Sequence, residues 1–597
     1  MKLLVPYVDE LKPVDKQLLR LAEFLGIKSE TFPLPLVKST GRWTEYLERQ
    51  IPEQEACFVI NPCVLQDWVG GDELPSELAT LLVTRFRHLL VHSPGFEHFD
   101  RSVLNALSCG NLNAVQKIDH ADSPYEISAD SKDICESFAG LSFGPVNLAN
   151  DRVFTTVREG AAVRVLISIE GKPLMAAIER GNRKIWFLAG ENVADLQAEV
   201  GEAPVSEFFS QLLPYAMALR AIFSDASWRP NRHHASVVID DPLLQCDYGF
   251  LNFESLLSLM ARSNFHSTIA FIPHNFRRSS PRITRMFREN ADRFSICFHG
   301  NDHTGAEFAS ADAALLNTLL QIAEQRMELH TKSTGVSCDR VMVFPQGQFS
   351  VEAMTVLKSR NFDGAVNTTS HPKQSPVRLT LGEIAQPAVL RYGNFPLFLR
   401  KDSVQTESAD IAFNCFFGKP VLIVEHHDIF QNPEPLAKAA ARINKVVPNI
   451  HWSNLSSLVR NSILRKSTHD GVQRIRAYSG TVQVSNDSKT TKRFQIEWKY
   501  PVQQEVVCEQ VLQDGVQFKD FAVNATGVQV SVDLPPGSTR TYSLVHRNPY
   551  PDLGNLGFRK NARAFVRRRL SEVRDNYLSK SPHVLKAAKT LKRYIPI

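Results

Sequence analysis

From residue 235 to about 460 the chain repeats one pattern: a short apolar run, a polar break, then a stretch with apolar residues three and four positions apart. Seven runs can be read in order, SVVID, HSTIAFIP, FSICFHG, RVMVFP, GAVNT, FPLFLR and VLIVEHH, and segments such as FESLLSLMARS and AALLNTLLQIAEQRMELH follow them. Strand-length runs alternating with helix-period segments predict parallel β/α units, here a distorted seven-stranded (β/α) barrel over residues 229–465. Upstream, apolar runs at residues 3–5, 58–60 and 89–91 alternate with helix-compatible stretches such as 16–25. That pattern predicts an open Rossmann-like or flavodoxin-like module over residues 1–228. Within it, VRVLISI, LMAAIE and KIWFLAG, with a turn at Gly181 and Asn182, read as hairpins, and EFFSQLLPYAMALRAIF reads as a closing helix.

Downstream, Phe494, Ile496, Trp498 and Tyr500 alternate with polar residues, as do Val528, Val530, Val532 and Leu534, so residues 468–548 read as a small β-sandwich. In the last segment, 549–597, Val566, Leu570, Val573 and Tyr577 stand at helical spacing, and after Pro582 so do Val584, Ala588, Leu591 and Ile595. Two short amphipathic helices are expected there. The fold class is α/β and multidomain, as a length of 597 residues also requires, since one hydrophobic core rarely serves so long a chain.

Charge changes the picture only at the tail. Residues 551–597 hold 12 Lys/Arg against 3 Asp/Glu, a balance of 12 − 3 = +9, while the whole chain is +5, leaving the remainder at −4. A mildly acidic body argues against a general nucleic-acid-binding surface. The nine cysteines are scattered, with no CxxC pair, which disfavours a disulfide framework or a zinc knuckle. The opening MKLLVPYVDELKP has too short an apolar stretch for a signal-peptide core, and no run approaches the roughly 20 apolar residues that span a bilayer. The expected setting is the cytoplasm, with any membrane contact peripheral to its inner face.

Candidate chemistry collects at strand ends, where the active site of a β/α barrel lies. The first run ends in Asp240-Asp241, the third in His299-Gly300-Asn301-Asp302-His303 and the seventh in Glu425-His426-His427-Asp428. Carboxylates and imidazoles converging on one mouth form a two-His, one-carboxylate metal site with open positions. Spacing alone is weak evidence, since 18 His in 597 residues give roughly half an HxxxH by chance. His88 and His92 provide a control: they share the spacing but flank the apolar run LLV with no carboxylate strand in register, and read as ordinary strand and surface residues.

An apolar strand ending in Asp240-Asp241, another roughly 60 residues later ending in His299 and His303, and a late strand ending in His resemble the polysaccharide deacetylases over about residues 233–460. The resemblance implies that Asp240 is the general base and that Asp241, His299 and His303 hold a divalent metal, with zinc expected. A metal lowers the pKa of bound water and polarises a carbonyl. Asp240 would take the water's proton, and His426 or His427, whichever faces the mouth, would protonate the leaving amine. The family's Arg after its fourth strand is missing; Gln346 and Gln348 stand there without its charge. Tyr248, His274, Asn367 and Arg400, all just beyond strand ends, occupy the places of substrate-lining residues. The first module loosely resembles the glutamine-amidotransferase-like modules, but Cys109, in LSCGN, lacks the glycine two positions before it that their nucleophile elbow carries.

The leading expectation is a metal-dependent hydrolase that removes an N-acetyl or O-acetyl group from a sugar or glycan precursor, in cell-surface polysaccharide synthesis. One alternative is a metal-dependent glycosidase, with Asp240 and Glu425 as the evident carboxylate pair. The other is a non-catalytic glycan-binding or scaffold protein. For the tail, a solvated helix pair or one docked on the acidic body competes with contact to an anionic membrane or a membrane glycan enzyme.

Overall fold

The computed structural model describes residues 1–35, 46–47, 56–156, 163–200, 205–373, 378–500, 508–551 and 558–578. Contacts divide the chain into two compact units: Met1–Arg229 with Thr380–Gly382 and Lys466–His469, and Pro230–Leu379 with Glu383–Arg465 and Asp470–Ile597.

In the first unit the expected open α/β sheet is present as five parallel strands, Ser29–Pro33, Lys2–Tyr7, Ala56–Ile60, His88–His92 and Arg183–Leu188. The sheet then continues antiparallel through Lys172–Arg180, Val163–Ile169 and Tyr125–Ile127, which a simple Rossmann-like module lacks. The reason is local: the two-residue connections Glu170-Gly171 and Gly181-Asn182 are too short for a crossover helix, so the chain must return antiparallel. His92 is buried in this unit, with its Nε2 2.9 Å from Asp15 Oδ1, so the HxxxH at residues 88–92 is committed to an internal pair.

The second unit contains the barrel. All seven expected strands form: β1 (His234–Asp240), β2 (Ser267–Phe271), β3 (Phe294–His299), β4 (Cys338–Val343), β5 (Gly364–Asn367), β6 (Leu397–Leu399) and, after one more, β8 (Val421–Glu425). The eighth, β7 (Lys401–Asp402), is too short to read from periodicity. The order is β6-β5-β4-β3-β2-β1-β8-β7, and every neighbouring pair is parallel. β6 and β7 lie at opposite ends of that order yet are separated in sequence by Arg400 alone. The chain therefore nearly closes the ring across a single residue. Core residues from the strands, Val237, Ile239, Ile269, Phe271, Ile296, Met342 and Ile423, pack with Leu256, Met260, Leu316, Leu320, Leu357 and Ile443 of the surrounding helices.

The β-sandwich has two sheets, one pairing Gln473–Ala477, Lys492–Lys499, Gly527–Leu534 and Phe521–Asn524, the other Thr481–Ser485, Thr539–Val545, Gln510–Gln513 and Val516–Phe518. Its core is made by the alternating positions, Phe494, Ile496 and Trp498 with Val528, Val530 and Leu534. The tail forms a helix, Phe558–Val573, and a wider π-type turn, Arg574–Leu578. The second expected tail helix lies outside the described residues. Among the described residues no helix is long and apolar enough to cross a membrane.

Candidate metal centre at the barrel mouth

Adjacent residues on a strand point to opposite faces, so Asp240 and Asp241 can serve one mouth only if the strand ends between them. It does. β1 stops at Asp240, and Asp241 takes φ +78°, a conformation L side chains rarely adopt, which turns its carboxylate back over the mouth. His303 is held likewise at φ +57°. The ligating atoms of Asp241, His299 and His303 lie within 4.8 Å of one another. Asp241 Oδ1 is 3.4 Å from His299 Nε2 and 3.3 Å from His303 Nε2.

The donor set fits a divalent cation. His299 Nδ1 is 3.0 Å from the Val343 carbonyl, which can only accept, so Nδ1 carries the hydrogen and a neutral ring presents its Nε2 lone pair to the carboxylate. Asp241 Oδ1 is buried and has no hydrogen-bond partner among the described residues. Lone pairs gathered in this way repel unless a cation lies among them. The protonation pattern agrees. Burial opposes ionisation of Asp241, yet the His299 and His303 imidazoles beside it hold its carboxyl far below the usual range. Burial also opposes charge on His299, but the neighbouring Asp241 and Asp240 carboxylates raise its pKa, whereas burial pulls His303 down to about 4. The carboxylate thus draws positive charge to His299 Nε2, the place a cation would take.

The loop carrying the triad is fixed by a residue that periodicity did not reveal. Glu307 Oε1 accepts from the backbone N–H groups of Asn301 (2.8 Å), Asp302 (3.3 Å) and His303 (3.0 Å). Gly300, at φ +65°, makes the approach possible, because a Cβ there would fall 2.2 Å from Glu307 Oε1. Glu307→Ala would leave three N–H groups without this acceptor and free the backbone of His303; metal affinity is expected to fall by about 10- to 100-fold, as for other lost outer partners of metal ligands. Titration of zinc into the metal-stripped protein measures it, and an unchanged dissociation constant would remove Glu307 from the site.

Asp240 is buried beside the triad, and Arg400 grips it with both guanidinium nitrogens, Nη1 to Oδ1 at 2.7 Å and Nη2 to Oδ2 at 2.6 Å. Burial opposes the charged form, but Arg400 and then His299 outweigh it and hold the Asp240 carboxyl below its ordinary value. Arg400, expected at the substrate, is thus only 4% exposed and committed to the candidate base. Glu425 is also turned inward, accepting from Ser403 N at 3.1 Å.

The two late histidines part company. His426 has 57% of its side chain exposed and its Nε2 is 4.0 Å from Asp240 Oδ2. His427 is packed beside Tyr248 and against Gly249, and its Nε2 is 3.6 Å from Asp575 Oδ1. Asp575 belongs to the tail, whose polar side lies across this part of the mouth. Tyr248 donates to Asp575 Oδ2 (2.8 Å), Gly249 N to Asn576 Oδ1 (2.7 Å), and Arg278 reaches both oxygens of Glu572 (2.7 and 2.6 Å). The charge of Arg568 also acts on Asp241, His274 and His303.

The remaining candidates are placed less centrally. Tyr248 is buried under the tail, and His274 is half-buried with its backbone N–H bonded to Asn301 O at 2.9 Å. Asn367 is buried, its amide donating to Gly347 O and Thr369, so it ties two loops together. Gln346 is exposed at φ +57° and Gln348 is half-buried. The tail residues carried no sequence signal for the site, since nothing in a basic amphipathic stretch says which of its faces turns inward.

No family model matches the sequence, and no curated protein matches it. Among solved structures the chain is similar to the carbohydrate deacetylase Agd3, at 9% identity over 91% of this chain and 98% of that one, with a TM-score of 0.46. It is also similar to the Bc1960 peptidoglycan N-acetylglucosamine deacetylase (15% identity, 39% of this chain, 90% of that one, TM-score 0.23). A third is a family 4 acetyl xylan esterase from Clostridium thermocellum, solved with cobalt (15% identity, 38% and 89%, TM-score 0.23). At these identities and scores the likeness carries no argument for this chain, and the chemistry must be argued from the mouth itself.

Proposed function

We propose that the protein is a metal-dependent deacetylase that hydrolyses an N-acetyl or O-acetyl group on a sugar, with zinc or a similar divalent ion held by Asp241, His299 and His303. The observation that carries the reading is the pairing of two adjacent carboxylates with different partners. Asp241 faces two imidazoles with an unpartnered oxygen, while Asp240 is kept ionised by Arg400. A metal bound at the triad supplies an acidified water and a polarised acyl oxygen. Asp240 is held as the acceptor for the water's proton, and each of its oxygens retains a lone pair beyond the one that Arg400 occupies. His426, exposed beside Asp240, is the group placed to return a proton to the leaving nitrogen or oxygen. His427, packed under the tail, sets the wall behind it.

The glycosidase alternative needs two carboxylates flanking a sugar bond. Here Glu425 is buried and held by the Ser403 amide, which leaves Asp240 without the second open carboxylate and favours acyl over glycosyl transfer. The test is to incubate the zinc-loaded protein with N-acetylated and O-acetylated oligosaccharides and analyse both products. Acetate release with chain length preserved is expected, and it should be lost in His426→Ala. A shortened glycan would replace this reading with the glycosidase, and no turnover of any acetylated sugar would remove it.

A further inference from the structure

A helix that stabilises a fold by packing turns its apolar face inward; the tail helix does the reverse. At about 100° per residue, Arg568, Glu572 and Asp575 share one side and Val566, Leu570, Val573 and Tyr577 fall within an arc of about 60° on the other. Glu572 and Asp575 are the ones bonded to Arg278 and Tyr248, so the polar side faces the barrel. The apolar side is open to water: Val566 is 53% exposed, Leu570 50%, Val573 47% and Tyr577 73%. Four large apolar side chains concentrated on one face of one helix mark an interaction surface.

The charges around the stripe say what it fits. Helical spacing puts Arg567 and Arg574 along one flank and Arg569 along the other. The acids of the described tail helix, Glu572 and Asp575, are both turned to the barrel and also pair with Arg569 (3.4 Å) and Arg574 (2.6 Å), so the outward side carries the apolar stripe with cationic side chains on its flanks and no acid. The sequence adds to the same sign, with 12 Lys/Arg against 3 acids over residues 551–597. A second copy of the chain would bring like charges together along both flanks. A narrow apolar stripe with cationic side chains on both flanks matches instead a plane of acyl chains beneath anionic headgroups.

We propose that the tail helix docks the protein on an anionic lipid surface, with Val566, Leu570, Val573 and Tyr577 entering the interface and the flanking arginines at headgroup level. Because the opposite side of the helix rests on Tyr248, Gly249 and Arg278, docking brings the barrel mouth to within about one helix diameter, roughly 10 Å, of that surface. Where the deacetylase reading holds, the substrate is then a glycan carried at a membrane surface rather than free in solution.

The test is co-sedimentation of the full-length protein with phosphatidylcholine vesicles, with and without phosphatidylglycerol. Binding is expected only when the anionic lipid is present. The double variant Leu570→Asp/Val573→Asp should lower the partition coefficient by about tenfold or more, and Arg567→Glu/Arg569→Glu by a comparable factor. Leu570, Val573 and Arg569 are exposed and Arg567 is half-buried, and both variants should keep the wild-type urea midpoint and metal content. Failure of the wild type to bind anionic vesicles overturns the proposal, as does equal binding of the variants. So does a concentration-dependent dimer, abolished by Leu570→Asp, in a protein that ignores vesicles, because that result assigns the stripe to a second copy. A protein inactive on acetylated sugars that still binds vesicles through the stripe supports docking and removes only the deacetylase reading.

Discussion

Asp241→Ala is expected to abolish stoichiometric divalent metal in the purified protein and to lower acetate release by about three orders of magnitude or more, since the metal is asked to supply several kcal/mol at about 1.4 kcal/mol per tenfold. Removing this side chain takes away the only carboxylate of the triad and leaves two imidazoles, one of them already fixed by Val343, facing a space lined by Asp240 and Arg400. Two neutral nitrogens do not compensate the desolvation of a divalent ion. The measurement is elemental analysis of both proteins purified in parallel, followed by zinc titration of the stripped forms. Zinc should raise the melting temperature of the wild type in proportion to the logarithm of its excess over Kd, and should leave the variant unmoved. Equal metal content in the two proteins would remove the site irrespective of any activity.

What could be read in advance followed from periodicity and strand-end chemistry. The seven longer barrel strands are runs of β-branched and aromatic residues bounded by polar breaks, and the groups that end β1, β3 and β8 are the ones the structure gathers at one mouth. β7 escaped because two residues have no period. Arg400 escaped for a related reason: it sits at the seam where β6 gives way to β7, and its direction depends on the near-closure of the sheet rather than on local sequence. Read as the end of an apolar run, it belonged with the substrate-lining residues; in three dimensions it meets Asp240, 160 positions away.

The tail was legible as an amphipathic helix, but not in its orientation. An apolar stripe ordinarily turns to the core; here it does not, because the surface beneath the helix is itself polar. Arg278, Tyr248 and the Gly249 amide offer hydrogen bonds that only Glu572, Asp575 and Asn576 can answer. Glu307 went unnoticed because its action is on backbone amides, which no side-chain pattern encodes.

The Arg400–Asp240 pair carries the second large effect, and it separates stability from catalysis. Arg400→Met leaves a carboxylate buried with no counter-charge, a change that costs about 3–5 kcal/mol in other proteins and should lower the urea midpoint accordingly. Its pH dependence has a definite sign. In the wild type Asp240 is depressed below the unfolded value of about 3.9, so the pair's contribution is complete above that pH and is lost as pH falls toward the folded value. In Arg400→Met burial acts with the guanidinium gone, and the Asp240 pKa should rise above the unfolded value. The folded variant then binds the extra proton, so it should recover stability relative to the wild type as pH falls from neutrality toward 4, while acetate release, which needs the ionised base, declines over the same range. Asp240→Asn/Arg400→Met removes both charges, so it should regain most of the lost stability at pH 7 and none of the activity. A single Arg400→Met variant as stable as the wild type, with an unaltered pH–rate profile, would show that the guanidinium neither supports the fold nor sets the charge of the base.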